Sequence, residues 1–162
     1  MEDTNKAAQT SADTSKKTIL VVDDEQDARD LFVELFKSAN KYNVLAAMDG
    51  NDALDKCAKN KVDLVLLDIV MPNLDGVDTL ATIKTSPDKY GKPIVIMLTN
   101  IGGDLAIQEA LKIGAVSYKL KIDTEPEELL RTVDEALVKY AGENNKPAIT
   151  EDAPKAEANT TA

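Results

Sequence analysis

The chain of 162 residues is about one domain's worth of polypeptide, long enough to bury a core, and its charge of −10 without clustered Lys or Arg argues against nucleic acid as a partner. A lone cysteine, Cys57, rules out a disulfide within the chain and a thiolate metal cluster, which suits a reducing compartment. No apolar run reaches the length of a membrane span and no apolar stretch precedes Thr18, so neither a membrane segment nor a secretory signal is read, and the cytoplasm is the expected location.

Residues 1–17 are built from Ala, Thr, Ser, Asn, Lys and acids, with almost no large apolar side chain. Such a segment cannot offset its ordering entropy and is expected to be a disordered tail. The first apolar run, Ile19–Val22, then ends on Asp23, Asp24 and Glu25. Beyond it Ala28, Leu31, Phe32, Leu35 and Phe36 fall on one helical face. A second strand is read at Tyr42–Ala46, followed by a helix on which Cys57 is a small apolar residue beside Leu54 and Ala58.

The third run, Val62–Leu67, closes on a carboxylate, Asp68, within "LVLLDIVMPNLDG" at 64–76. Pro72 and Gly76 are read as shaping the loop that follows, Gly76 by accepting a backbone conformation that other residues resist. A fourth run, Pro93–Leu98, leads to Thr99, Asn100 and the pair Gly102-Gly103, where two glycines would let the loop move cheaply. Ile107, Ala110, Leu111 and Gly114 share a helical face, and the fifth run, Ala115–Leu120, ends on Lys121. The last helix is read from near Asp123 and Thr124, with Pro126 and two acids in its first turn and Leu130, Val133, Leu137 and Tyr140 on one stripe. Residues 141–162 form an acidic, low-complexity segment expected to be a second disordered tail, leaving 18–140 as the folded unit.

Five strands alternating with five helices require right-handed crossovers and a parallel sheet covered on both faces. The expected fold is a doubly wound α/β sandwich. Ligands of such sheets sit at the carboxyl ends of the strands, at the switch point in strand order. Asp23, Asp24 and Asp68 would meet there if strands one and three are neighbours, and three carboxylates so placed require a positive charge between them. Oxygen ligands without histidine or a thiolate pair fit Mg²⁺, whereas the spacing of an EF-hand calcium loop is not met. Acids after a strand also serve as helix N-caps, so Asp24 or Glu25 could simply start the first helix. Thr99 and Lys121 end the fourth and fifth strands at the same edge. A nucleophilic acid, metal-holding acids, a hydroxyl and a lysine are the components that form and hold an acyl phosphate.

The motifs "VVDDE" at 21–25, "LLDIVMPNLDG" at 66–76, "LTN" at 98–100 and "GAVSYKLK" at 114–121 together resemble the receiver domain of two-component response regulators, across essentially residues 18–140. The single-domain, chemotaxis-regulator-like members are the nearest in kind. The resemblance implies a flavodoxin-like fold with strand order 2-1-3-4-5. It implies that Asp68 is the phosphoacceptor, taking a phosphoryl group from a sensor histidine kinase or a histidine phosphotransfer protein. Asp24, Asp68 and the backbone carbonyl of Val70 would bind Mg²⁺ directly, and Asp23 would act mainly through a water. Lys121 would pair with the phosphoryl oxygens, Thr99 would hydrogen-bond one of them, and Tyr118 would turn inward as Thr99 moves. The implied role is a switch rather than an enzyme.

Two positions depart from the family pattern. Ile122 stands where a proline usually follows the lysine, and Asn100 stands where a small residue usually follows the threonine. Val70 and Ile101 offer no acid or amide to position a water, so slow self-dephosphorylation is expected. With only a polar segment after the last helix, output is expected through protein contact on the face formed by the fourth helix, fifth strand and fifth helix. A phosphorylation-independent interaction module on the same fold is the alternative that Ile122 and Asn100 keep open. A Mg²⁺-dependent phosphatase would need an acid where Val70 stands.

Overall fold

The computed structural model describes residues 15–100 and 104–140. The two expected tails, from residue 14 backward and from 141 onward, lie outside the described residues, as do Ile101 and the Gly102-Gly103 pair. The elements run β1 (Lys17–Val22), α1 (Gln26–Ser38), β2 (Tyr42–Ala47), α2 (Gly50–Lys59), β3 (Leu64–Leu67), α3 (Gly76–Thr85), α4 (Pro87–Tyr90), β4 (Ile94–Thr99), α5 (Asp104–Ile113), β5 (Ser117–Leu120), a 3-10 turn (Lys121–Asp123) and α6 (Pro126–Lys139). All pairings are parallel, and the sheet order is β2-β1-β3-β4-β5. Lys17, placed in the tail by composition, is the first residue of β1.

The alternation of side chains along each strand sorts the apolar residues onto two faces. Ile19, Val21, Leu64, Leu66, Ile94 and Ile96 point to a layer closed by Phe36 of α1 and Leu129 and Val133 of α6. Leu20, Val22, Val65, Leu67, Val95 and Met97 point the other way, onto Cys57 of α2, Leu80 and Ile83 of α3, and Ile107 and Ala110 of α5. Phe36 is wholly buried, and a side chain of that size contributes roughly 1.5–3 kcal/mol by leaving water. Because β3 and β4 are covered on both sides, every one of their residues is buried, which is why they read as unbroken apolar runs.

Further details differ from the sequence reading. Six helices are described rather than five, because α4 is a single turn started by Pro87 and stopped at Gly91, whose φ of 79° suits glycine. Leu31 does not join the buried face of α1; it is 65% exposed, while Phe32 and Leu35 are partly buried. Gly76 has no unusual φ. In that loop Asn73 takes the left-handed conformation, at φ 71°, and Gly76 is required for a different reason given below.

Candidate functional site

The order β2-β1-β3 reverses the chain's direction of growth between β1 and β3, and the crevice at their carboxyl ends is where the acids gather. Val22 pairs with Leu67, so the residues that follow them, Asp23 and Asp68, leave the sheet side by side. The Asp68 N–H donates to the Val22 carbonyl at 3.0 Å, and the Asp23 N–H donates to the Ala47 carbonyl at 3.2 Å. Asp23 and Asp68 are buried, whereas Asp24 is exposed. One carboxylate oxygen from each of the three can lie within 4.8 Å of the others.

The fourth and fifth strands bring the remaining groups to this edge. Thr99 ends β4 and is buried, and it pairs with Leu120, directly before Lys121. Lys121 supplies the positive charge that the clustered acids require: its Nζ lies 2.5 Å from Asp23 Oδ2, 3.2 Å from Asp68 Oδ2 and 3.8 Å from Glu25 Oε1. With Ile122 in place of proline and no cis peptide bond among the described residues, the lysine nevertheless reaches both buried acids. Ile122 itself and Asn100 are exposed.

Burial pushes the Asp68 carboxyl up to about 6; Lys121 opposes this and the neighbouring Asp23 charge reinforces it. Lys121 would be lowered by its own burial, but its hydrogen bond to Asp23 and the charges of Asp68 and Asp23 outweigh that and raise it. The ammonium sits closer to Asp23 than to Asp68, so Asp68 remains incompletely neutralised. A buried, under-compensated carboxylate beside an exposed one is a place where a hard cation would relieve repulsion.

Of the two acids read as possible starts of the first helix, Glu25 takes the N-cap position of α1, without a side-chain cap bond, and Asp24 is exposed. Asp49 and Asp75 are the capping acids, accepting from the N–H groups of Asp52 and Asp78. The loop after Asp68 is held by close approach. A Cβ on Gly76 would fall 2.1 Å from the Asp68 carbonyl oxygen, while the Gly76 N–H donates to the Ile69 carbonyl at 2.7 Å. Val70, in the same loop, is 60% exposed.

Tyr118 lies in β5 opposite Met97 and is 42% exposed. Two residues near the acids were given no place in the site from the sequence. Glu25 was read as part of the acidic run and as a possible start of the first helix, and it also faces Lys121. Arg29 donates to the Asp23 carbonyl at 2.7 Å, and its signal was its place about one turn into the helix that follows the acids.

The model for the response regulator receiver domain matches residues 19–134. The chain belongs to the response regulator receiver family. Among its relatives is the transcriptional regulatory protein CpxR of Escherichia coli K12, 39% identical over 100 residues that make up 62% of this chain and 40% of that protein. The receiver thus spans about two fifths of the length of that relative. Among solved structures, the Vibrio cholerae chemotaxis protein CheY4 is similar with a TM-score of 0.69 at 29% identity, over 75% of this chain and 99% of that one. The CheY of Borrelia burgdorferi, solved as a complex with CheX, BeF3 and Mg²⁺, is similar with a TM-score of 0.67 at 27% identity, over 75% of this chain and 89% of that one. The flavodoxin-like order 2-1-3-4-5 is common to this fold.

Proposed function

We propose that this receiver is a phosphorylation switch in which Asp68 accepts the phosphoryl group of a phosphohistidine on a sensor histidine kinase or a phosphotransfer protein. The observation that carries this reading is the joint placement of Asp23, Asp24, Asp68, Thr99 and Lys121 at the carboxyl edge of one sheet. In the transfer, an Asp68 carboxylate oxygen attacks phosphorus and the phosphorus–nitrogen bond breaks, its electron pair leaving on the imidazole. The product is an acyl phosphate on Asp68.

Asp24, Asp68 and the Val70 carbonyl would hold Mg²⁺, with Asp23 reaching it through a water. Exposed Asp24 leaves room for the waters that this ion retains. When bound, the ion would offset the charge shared by the carboxylates and the phosphoryl oxygens. Lys121, already within 3.2 Å of Asp68, pairs with a phosphoryl oxygen, and the Thr99 hydroxyl donates to another. The new charge favours one placement of the Thr99 hydroxyl over another, and the exposed Tyr118 ring turns inward as Thr99 moves.

The output surface is the face formed by α5, β5 and α6, where Tyr118 and the Lys119–Glu128 ion pair at 2.6 Å lie and where a target protein would dock. The chain acts as a switch read by its partner, not as a turnover enzyme. Among the described residues, no helix is long and apolar enough to cross a membrane.

The test follows amide resonances while BeF3 and Mg²⁺ are added. Thr99, Tyr118 and Lys119 are expected to shift in the wild type and to stay in place in Asp68→Asn. Shifts restricted to the residues beside Asp68 would oppose a switch.

A further inference from the structure

We propose that Arg29 is a positioning residue for the acidic turn, holding the segment between β1 and α1 so that Asp23 and Asp24 face Asp68. This rests on the reading of the site just given. Each polar group of Asp23 has a partner: its N–H donates to Ala47, its Oδ1 accepts from the Glu25 N–H at 3.0 Å, and its Oδ2 faces Lys121. The carbonyl is the group most in need of one. β1 ends at Val22, whose carbonyl still accepts from Asp68, so the Asp23 carbonyl is the first beyond the ladder. Arg29 Nη1 donates to it at 2.7 Å in a partly buried setting.

The donor comes from the helix that the turn introduces. α1 starts at Gln26, and the Arg29 N–H bonds to the Glu25 carbonyl, so the backbone of Arg29 is fixed by the first turn of α1 while its side chain folds back over the turn. The position of the acids is thereby tied to the register of α1.

The residue type fits the task. Arg29 and Arg131 are the chain's arginines among nineteen basic residues, so lysine serves nearly everywhere else. A guanidinium presents several donors in a rigid fork and can serve a carbonyl while facing an anion on its other side; an ammonium on a flexible stem is less well organised for this. The Arg29 charge also acts on Asp52 of α2, whose ion-pair partner is Lys56. Burial pushes its carboxyl up, but Lys56, the Met48 N–H and the Arg29 charge together bring it below the usual carboxylate range. Groups that orient metal-holding carboxylates in this way typically change metal affinity 10–100-fold when removed.

The experiment compares the full chain with Arg29→Met, Arg29→Gln and Arg29→Lys. Mg²⁺ affinity is measured by calorimetric titration, and hydrogen exchange of the Glu25, Ile96 and Val133 amides is measured without metal. Met and Gln variants are expected to bind Mg²⁺ about tenfold more weakly. Their Glu25 amide should exchange faster while Ile96 and Val133, in the core, keep their protection; Lys should recover part of both effects. Wild-type Mg²⁺ affinity in both the Met and Gln variants would overturn the positioning role, as would an equal loss of protection at all three amides. A wild type that binds no Mg²⁺ would instead overturn the functional reading, and Glu25 exchange would still decide whether Arg29 holds the turn.

Discussion

Gly76 is packed so closely on Asp68 that a methyl group on its Cα would lie 2.1 Å from the Asp68 carbonyl oxygen. The next nearest atoms are also backbone, Ile69 Cα at 2.8 Å and Asp68 C at 2.9 Å, so no side chain can rotate away to make room. Gly76→Ala must therefore displace the Asp68 peptide or the start of α3. Overpacking of this kind costs about 1–3 kcal/mol. The variant is expected to unfold at lower urea and to form the Asp68 phosphoryl adduct more slowly. Urea midpoints and adduct rates measured together check both effects.

Lys121 is the internal counter-ion of two buried acids, and Lys121→Met would leave both uncompensated. Breaking a buried ion pair in this way costs about 3–5 kcal/mol. The metal-free variant should melt well below the wild type, and saturating Mg²⁺ should raise its melting temperature more than that of the wild type. Thermal denaturation with chelator and with Mg²⁺ provides the comparison.

The raised Asp68 carboxyl gives a pH dependence with a definite sign. A folded-state value of about 6 lies above the ordinary one near 3.8, so Asp68 binds its proton more tightly in the folded protein. The stability associated with that proton is complete below about pH 4 and is lost as pH rises through about 6. Asp68→Asn cannot lose it. In chelator, Asp68→Asn should therefore become more stable than the wild type as pH rises from about 4 to 7.5, by roughly 1–3 kcal/mol at the upper end. Urea melts of both proteins across that range measure the gap.

Phosphoryl loss should be slow, because Val70 presents an exposed apolar side chain beside Asp68 and Asn100 adds bulk after Thr99. Val70→Asn would supply an amide able to orient a water. We expect the adduct to decay about tenfold faster, a small part of what a well-placed proton acceptor provides. Intact-mass measurement of the adduct over time gives both rates.

Much of the fold could be read from the sequence because β1, β3 and β4 are buried on both faces and so appear as apolar runs with polar ends. The site was legible in part for the same reason: Asp23 and Asp68 follow such runs and Thr99 ends one, where a parallel sheet puts its ligands, while Lys121 follows the edge strand β5. Leu31 misled the reading because periodicity gives a helical face without saying how wide the neighbouring layer is; α1 covers its strands with Phe32, Leu35 and Phe36 and leaves Leu31 in water. α4 is one turn long, too short to show a period. The reason for Gly76 was misjudged because a glycine in a sequence does not reveal whether it answers a torsion or a close approach. Arg29 was missed because its partner is a backbone carbonyl, which carries no residue identity.

Mg²⁺-assisted phosphoryl acceptance by Asp68 can be read from intact mass after incubation with a small acyl-phosphate donor. Wild type and Asp68→Asn are compared with Mg²⁺ and with chelator. One phosphoryl adduct is expected in the wild type, dependent on Mg²⁺ and absent from the variant. A folded wild type that binds Mg²⁺ and gains no mass would contradict it, and so would an adduct of equal yield on Asp68→Asn.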